Sequence, residues 1–267
     1  MLKIKKMKLK FISDIWQQIR KFFKKSLQKL LDFQRKKKLV VKLEQKSKLG
    51  LPFLILVWGA AFICTFGLLL DSSAVVIGAM LIAPIFWPIL GISLSFVTGK
   101  KKLAIKSIVS LTVSIVSVVA ISWLLTELSP TAGMTDEINL RIRPSLFDLL
   151  IALVSSVIGV AAAYFPRISA TAIGVAISLS LLPPLAVAGI SLALGSTNMF
   201  VGSLMLFAAN AVAIIFVGII SFYLLKFGPN NQQPALGSSS RLPASFALSV
   251  LLASVLAIIF LLSRSAL

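Results

Sequence analysis

The chain has 267 residues, 58% of them hydrophobic and 13% charged, against a charged share of about 25% in soluble domains. So few polar residues cannot cover so much apolar surface in water, which excludes an ordinary soluble protein of one or two domains. The formal net charge is +19, and 17 of the 27 Lys and Arg precede Gly50, so the basic character belongs to one arm and not to the body.

That arm, residues 1–49, shows no short apolar core with a small-residue cleavage site, so the first apolar run reads as a retained anchor. Within the arm, Phe11/Ile12, Ile15/Trp16, Ile19, Phe22/Phe23, Leu27 and Leu30/Leu31 recur at helical spacing. Arg20, Lys21, Lys24, Lys25 and Lys29 fill the opposite face. The pattern predicts an amphipathic helix lying on a membrane, with the rings of Trp16, Phe22 and Phe23 in the acyl boundary and the cations at anionic headgroups. A solvated helix that contacts a partner is the alternative. Nucleic acid is not expected as a partner, because the apolar face would then stay in water.

From Leu51 onward, apolar runs of roughly 20 residues follow one another, each matching a bilayer core of about 30 Å. Seven spans are predicted: Leu51–Leu70, Ser73–Thr98, Leu103–Leu125, Leu146–Phe165, Ile168–Leu194, Met199–Leu225 and Ala244–Leu262. The fold class is therefore an all-α polytopic transmembrane bundle, with residues 50–228 as its core and 229–267 as a linker and final helix. Lys100, Lys101, Lys102, Lys106, Arg167, Lys226 and Arg241 fall on the side of the basic arm. The opposite side holds Asp71, a mixed loop with Glu127, Asp136, Glu137, Arg141 and Arg143, and the uncharged Gly195–Asn198. The excess of Lys and Arg places the N-terminus in the cytoplasm and the C-terminus outside a cell membrane. Re-entrant hairpins stay open for the second and fifth segments, because both contain prolines.

Those two segments repeat one another. Ser73–Ala79 (SAVVIGA) is matched by Ser169–Val175 (SATAIGV), Pro84 and Pro88 by Pro183 and Pro184, and Gly91-Ile92-Ser93-Leu94 by Gly189-Ile190-Ser191-Leu192 after a slip of two. In that register Thr112 of the third span corresponds to Asn210 of the sixth. A three-helix unit used twice (50–126 and 146–228) must enter the membrane from opposite sides, which makes a 3+3 inverted repeat. Proline lacks an N–H and clashes with the preceding turn. Pro84 and Pro88 with Gly78 and Gly91, and Pro183 and Pro184 with Gly174 and Gly189, are expected to interrupt both helices near mid-membrane. Backbone groups freed there cannot face lipid and must face protein, water or a ligand. Kinks that serve only close packing are the alternative.

Charges are absent from the middle of the spans. Asp71 reads either as a cap on the helix that follows it or as part of an entry path. Asn210, the amide inside a span, reads as an interhelical hydrogen bond or a ligand contact. The sequence holds no histidine and one cysteine, Cys64, so no internal disulfide can form and the usual metal ligand and general base are missing. Cys64 reads as a small buried hydrophobe. Neither a metal nor a cofactor is expected, and no catalytic residue is assigned, so an enzyme is not expected.

The stretch Ser73–Pro84 (SAVVIGAMLIAP) with Pro88–Gly91, together with Gly174–Ile177, Leu182–Gly189 (LPPLAVAG) and Leu206–Asn210 (LFAAN), resembles the prokaryotic membrane family called domain of unknown function 389. The similarity covers roughly Gly50 to Gly228. The resemblance implies a polytopic membrane protein of unestablished biochemistry and supplies no catalytic residues. Some relatives carry a larger soluble N-terminal domain where this chain has its basic arm.

The function expected from these features is a transporter or channel-like permease for a small solute, with Gly78, Pro84, Pro88, Gly91, Thr112, Gly174, Pro183, Pro184, Gly189, Asn210 and Asp71 around its path. The rival is a membrane scaffold or sensor that acts through the basic arm. The partners expected are the lipid bilayer, anionic headgroups and a small solute, with a homo-oligomer left open.

Overall fold

The computed structural model describes residues 32–129, 133–165 and 181–227. No strand occurs among them. Trp16, Arg20, Lys21, Phe22, Phe23, Lys24, Lys25, Gly174, the first part of the fifth predicted span and all of the seventh lie outside the described residues. The chain divides into two units, Met1–Val41 and Lys42–Leu267. In the first, residues 32–41 are helical, and Lys36 pairs with Asp32 one turn away at 2.7 Å.

The second unit holds α1 (Leu51–Leu69), α2 (Ser73–Ile82), α3 (Phe86–Thr98), α4 (Lys101–Glu127), α5 (Asp136–Asn139), α6 (Leu146–Tyr164), α7 (Leu182–Ala193) and α8 (Thr197–Leu224). Helices α1, α4, α6 and α8 are long and apolar enough to cross a membrane. Helices α2 and α3 together make a fifth candidate span, bent by 48° at a short break. These five agree with five of the predicted spans, with ends that differ by two residues at most.

Large apolar side chains point outward from the long helices: Leu51, Ile55 and Phe66 on α1, Phe147, Leu150 and Val154 on α6. In water this would be an untenable patch, whereas lipid is as apolar as these side chains. Two short helices are instead largely buried. In α3, Phe86 and Pro88–Ser95 are buried, and in α7 so is the whole of Leu182–Ser191. Each packs against both α4 and α8, so the interior consists of two short helices held between two long ones.

Local chemistry explains the connections. The α1–α2 turn closes with Ser72 N–H donating to Gly67 O at 2.8 Å, and Asp71 takes φ 53, a left-handed conformation that Asp tolerates better than most residues. The α7–α8 turn repeats the device, with Ser196 N–H donating to Ser191 O at 2.9 Å around Gly195 at φ 66. Ser145 and Asp148 form a reciprocal capping box that starts α6.

Candidate functional site

The break in the α2–α3 span is confined to Ala83–Ile85, with Pro84 at its centre. This corrects the expectation for its neighbours. Pro88 and Gly91 lie inside α3 and Gly78 inside α2, so none of the three interrupts a helix. Pro88 stands in the first turn of α3, where backbone N–H groups have no intrahelical partner and a missing one costs nothing. Pro183 and Pro184 occupy the same kind of position in the first turn of α7. Pro88 thus starts a helix and does not break one; Pro183 and Pro184 also sit in a first turn, and the part of their segment before Leu181 lies outside the described residues.

Glycines set the close crossings. A Cβ on Gly189 would fall against the Val119 carbonyl oxygen, and within 2.6 Å of Ser122 Cβ and 2.9 Å of Trp123 N. Gly91 likewise abuts the Ser107 hydroxyl of α4. Gly218 of α8 meets Ser93 of α3, with Oγ at 2.6 Å from the position its Cβ would take. Gly78 differs: nothing lies within 4 Å of its missing Cβ, so it permits no close approach.

These contacts fix depths along α4. From Gly91, beside Ser107, five residues back to Phe86 climb roughly 7 Å, to the level of Ser110–Ser114. Gly202 of α8 abuts the Ile142 carbonyl, and Thr65 of α1 meets Ser122 at 2.8 Å while Thr135 donates to Leu68 O. The α7–α8 turn therefore lies at the Glu127 end of α4. From Gly189, beside Val119 and Trp123, seven residues back to Leu182 descend roughly 10 Å, again to about Ser114. On α8, the Gly218–Ser93 contact sets Asn210 at the depth of Phe86. The starts of α3 and α7, with Pro84, Pro183 and Pro184, thus share one depth with the buried amide of Asn210 near the middle of α4. Thr112 also has this depth but lies on the exposed side of α4, away from the interior.

The sequence reading missed the inner face of α4. Leu103, Ser107, Ser110, Ser114, Val118, Ser122 and Thr126 are buried and follow a three- or four-residue spacing, the helical repeat that would have revealed a hydroxyl-lined seam. Ser114 donates to Ser110 O at 2.8 Å and Thr126 to Ser122 O at 2.7 Å. Thr65 donates its single proton to Ala61 O at 2.7 Å, so the 2.8 Å contact with Ser122 is completed by the Ser122 proton. Thr65→Val and Ser122→Ala are each expected to lower stability by about 1 kcal/mol, with a coupling of about 0.6 kcal/mol in a double-mutant cycle read by thermal unfolding in detergent.

Asp71 does not cap α2, whose N-cap is Ser72 without a side-chain bond. Its carboxylate instead accepts the Glu137 N–H at 2.9 Å. Glu137, 7% exposed, takes the Ser73 hydroxyl and pairs with Arg141 at 2.5 Å. Ser73, Asp71 and the loop around α5 thereby close the Glu127 end of the bundle. Cys64 is fully buried, as expected of a small hydrophobe. No group of three His, Cys, Asp or Glu that could hold a metal occurs among the described residues.

Outward apolar side chains and long apolar helices mark an integral membrane protein, in which the bent α2–α3 pair is a broken span or a re-entrant loop. The chain belongs to the family described as domain of unknown function (DUF389), whose model matches residues 80–216. That stretch contains the Pro84 break, α7 and Asn210. An uncharacterized protein of Methanocaldococcus jannaschii is 32% identical over 183 residues, covering 68% of this chain and 56% of that relative. The chain thus spans little more than half the length of the relative it matches. No solved structure matches.

Proposed function

We propose that the bundle is a permease that passes a small solute through its interior, with the solute held where α3 and α7 begin. The observation that carries this reading is the common depth of Pro84, Pro183, Pro184 and Asn210 between α4 and α8. Such a level in lipid combines backbone groups not used by a helix with a buried amide, which are the groups a binding site without charged side chains needs. The pattern of packing supports a 3+3 inverted repeat, because α3 and α7 each lie against the same two long helices. The matched serines agree: Ser93 donates to Ile89 O and Ser191 to Val187 O, each one turn back. In this reading the chain has seven spans in a cell membrane, N-terminus inside, is not an enzyme, and the basic arm rests on anionic lipid.

Flux of a panel of small solutes into liposomes that contain the full chain tests it. Asn210→Ala is expected to lower the flux about tenfold, the loss of one hydrogen bond to the solute, while the outward Thr112→Ala leaves it within twofold. A cysteine at Ala83 or Leu182, with Cys64 replaced by Ala, is expected to react with a membrane-impermeant thiol reagent. No flux of any solute, together with unreactive cysteines at both positions, would remove the proposal.

A further inference from the structure

Residues 42–47 dock on the start of α3 through a short relay. Ser47 Oγ donates to the Trp87 carbonyl at 2.9 Å, and Ser110 Oγ donates to the Ser47 carbonyl at 2.7 Å. Leu43 and Ser47 are fully buried against the bundle. Lys42 and Lys46, one helical turn apart, place their ammonium groups 4.8 and 5.4 Å from the centre of the same indole ring, Trp87. A ring face attracts one cation readily, but two cations over it repel each other. Lys42 feels this: partial burial, and then the charge of Lys46, hold its pKa below the ordinary lysine value.

Among the described residues no carboxylate relieves the pair. Glu44, on the same segment, is taken by Lys100 at 3.0 Å, and no ion pair to Lys42 or Lys46 occurs among the described residues. The arrangement therefore lacks one anion. Its position says which kind. The Glu44–Lys100 pair ties the segment to the end of the bundle that carries Lys100, Lys101 and Lys102. Ser47 and Trp87 lie level with Ser110, and the preceding turn that carries Lys42 falls back toward Lys100, beside the exposed Ile105, Ile108 and Val109 of α4. Lysines on that turn reach the headgroup level, where phospholipid phosphates lie with their acyl chains on the apolar side. A phosphate bridging Lys42 and Lys46 would neutralise both, and its chains would cover the outward face of α4.

We propose that Lys42, Lys46 and Trp87 form a binding site for the phosphate of an anionic membrane lipid, set on the first turn after the break in the α2–α3 span. This site is separate from the interior one and stands whether or not the bundle conducts a solute. It also gives the lipid a hold on the hinge, because the ring that the two lysines cover and the carbonyl bound by Ser47 belong to the same residue.

The test is lipid retention by the full-length protein in native mass spectrometry, with phosphatidylglycerol against phosphatidylcholine. The wild type is expected to prefer phosphatidylglycerol by about thirtyfold, the size expected for two lysines at an anionic surface. The double variant Lys42→Gln with Lys46→Gln is expected to bring that ratio near one, and the exposed Lys46→Gln alone to lower it severalfold should the double variant fail to fold. Lys101→Gln with Lys102→Gln, which removes the same charge at the same end, is expected to leave it unchanged. In protein whose other tryptophans are Phe, chain-brominated phosphatidylglycerol is expected to quench Trp87 more than the brominated choline lipid. Equal retention of the two lipids overturns the proposal, and so does a preference that survives the Lys42 and Lys46 changes. An equal loss in the Lys101 and Lys102 variant assigns the preference to diffuse charge, and displacement by millimolar inorganic phosphate assigns the site to a soluble anion. Either result overturns it as well.

Discussion

Gly189→Ala is expected to destabilise the bundle by about 3 kcal/mol, the upper part of the range for overpacking a tight interior. One methyl group is small, but its neighbours cannot yield. Two of the three atoms it would meet, Val119 O and Trp123 N, belong to the backbone of α4, and the third is Ser122 Cβ. Relief requires α7 and α4 to move apart along their whole contact, which also loosens α7 from α8. Gly78→Ala is the matching control. Nothing lies within 4 Å of the Cβ it would add, and alanine is a better helix residue than glycine by about 0.5–1 kcal/mol. It should therefore leave stability equal or slightly raised. The buried Cys64 thiol provides the measurement, since it becomes reactive only when the bundle opens. The rate of its labelling during heating in detergent should rise at a lower temperature for Gly189→Ala than for the wild type, and not for Gly78→Ala. A wild-type melting curve for Gly189→Ala would show that α4 and α7 are not in close contact.

Arg141→Ala is expected to cost a similar amount, about 3 kcal/mol, by stranding a nearly buried carboxylate. Glu137 is 7% exposed and has three attachments: the Ser73 hydroxyl, the Arg141 guanidinium, and Asp71, which binds its backbone N–H. Arg141 also donates to the Glu137 carbonyl at 2.5 Å, so its removal uncovers two acceptors at once. Glu137→Gln is expected to be milder, at about 1 kcal/mol, because the amide keeps the shape and leaves no unpaired charge. Combining Arg141→Ala with Glu137→Gln should then recover much of the loss. If the double variant is as unstable as the sum of the single ones, the ion pair is not what holds the loop. Thermal unfolding followed by Cys64 labelling again gives the numbers.

These two sites differ in how far the sequence announced them. Gly189 stood out by its place in the repeated Gly-Ile-Ser-Leu stretch, but the expectation that it helps interrupt the helix is overturned, since it lies inside α7 and serves the crossing with α4. Nothing in the mixed loop indicated that Glu137 would turn inward. Its partners Asp71 and Ser73 are more than sixty residues away in the chain, and only the folding of that loop over the α1–α2 turn unites them. Asp71 shows the same limit: its position beside a helix start suggested a local cap, and the structure uses it for a distant N–H.

The helices themselves were determined by composition along the chain. An apolar run of about twenty residues in lipid must satisfy its own backbone, and only a helix does so within one segment. That is why five predicted spans reappear with nearly the same ends, and why Pro84 inside such a run marked a real break. Which face of each helix turns inward was decided by tertiary packing. In water, apolar residues mark the buried side, but lipid is as apolar as a protein interior, so hydrophobicity carries no phase. Thr112 sits two residues from both Ser110 and Ser114, about 200° around α4, and that rotation puts it outside while both serines lie in the seam. The same blindness hid the role of Pro88. A proline in an apolar run reads as a break until packing shows where the helix begins, and at a helix start the N–H it lacks has no partner to lose.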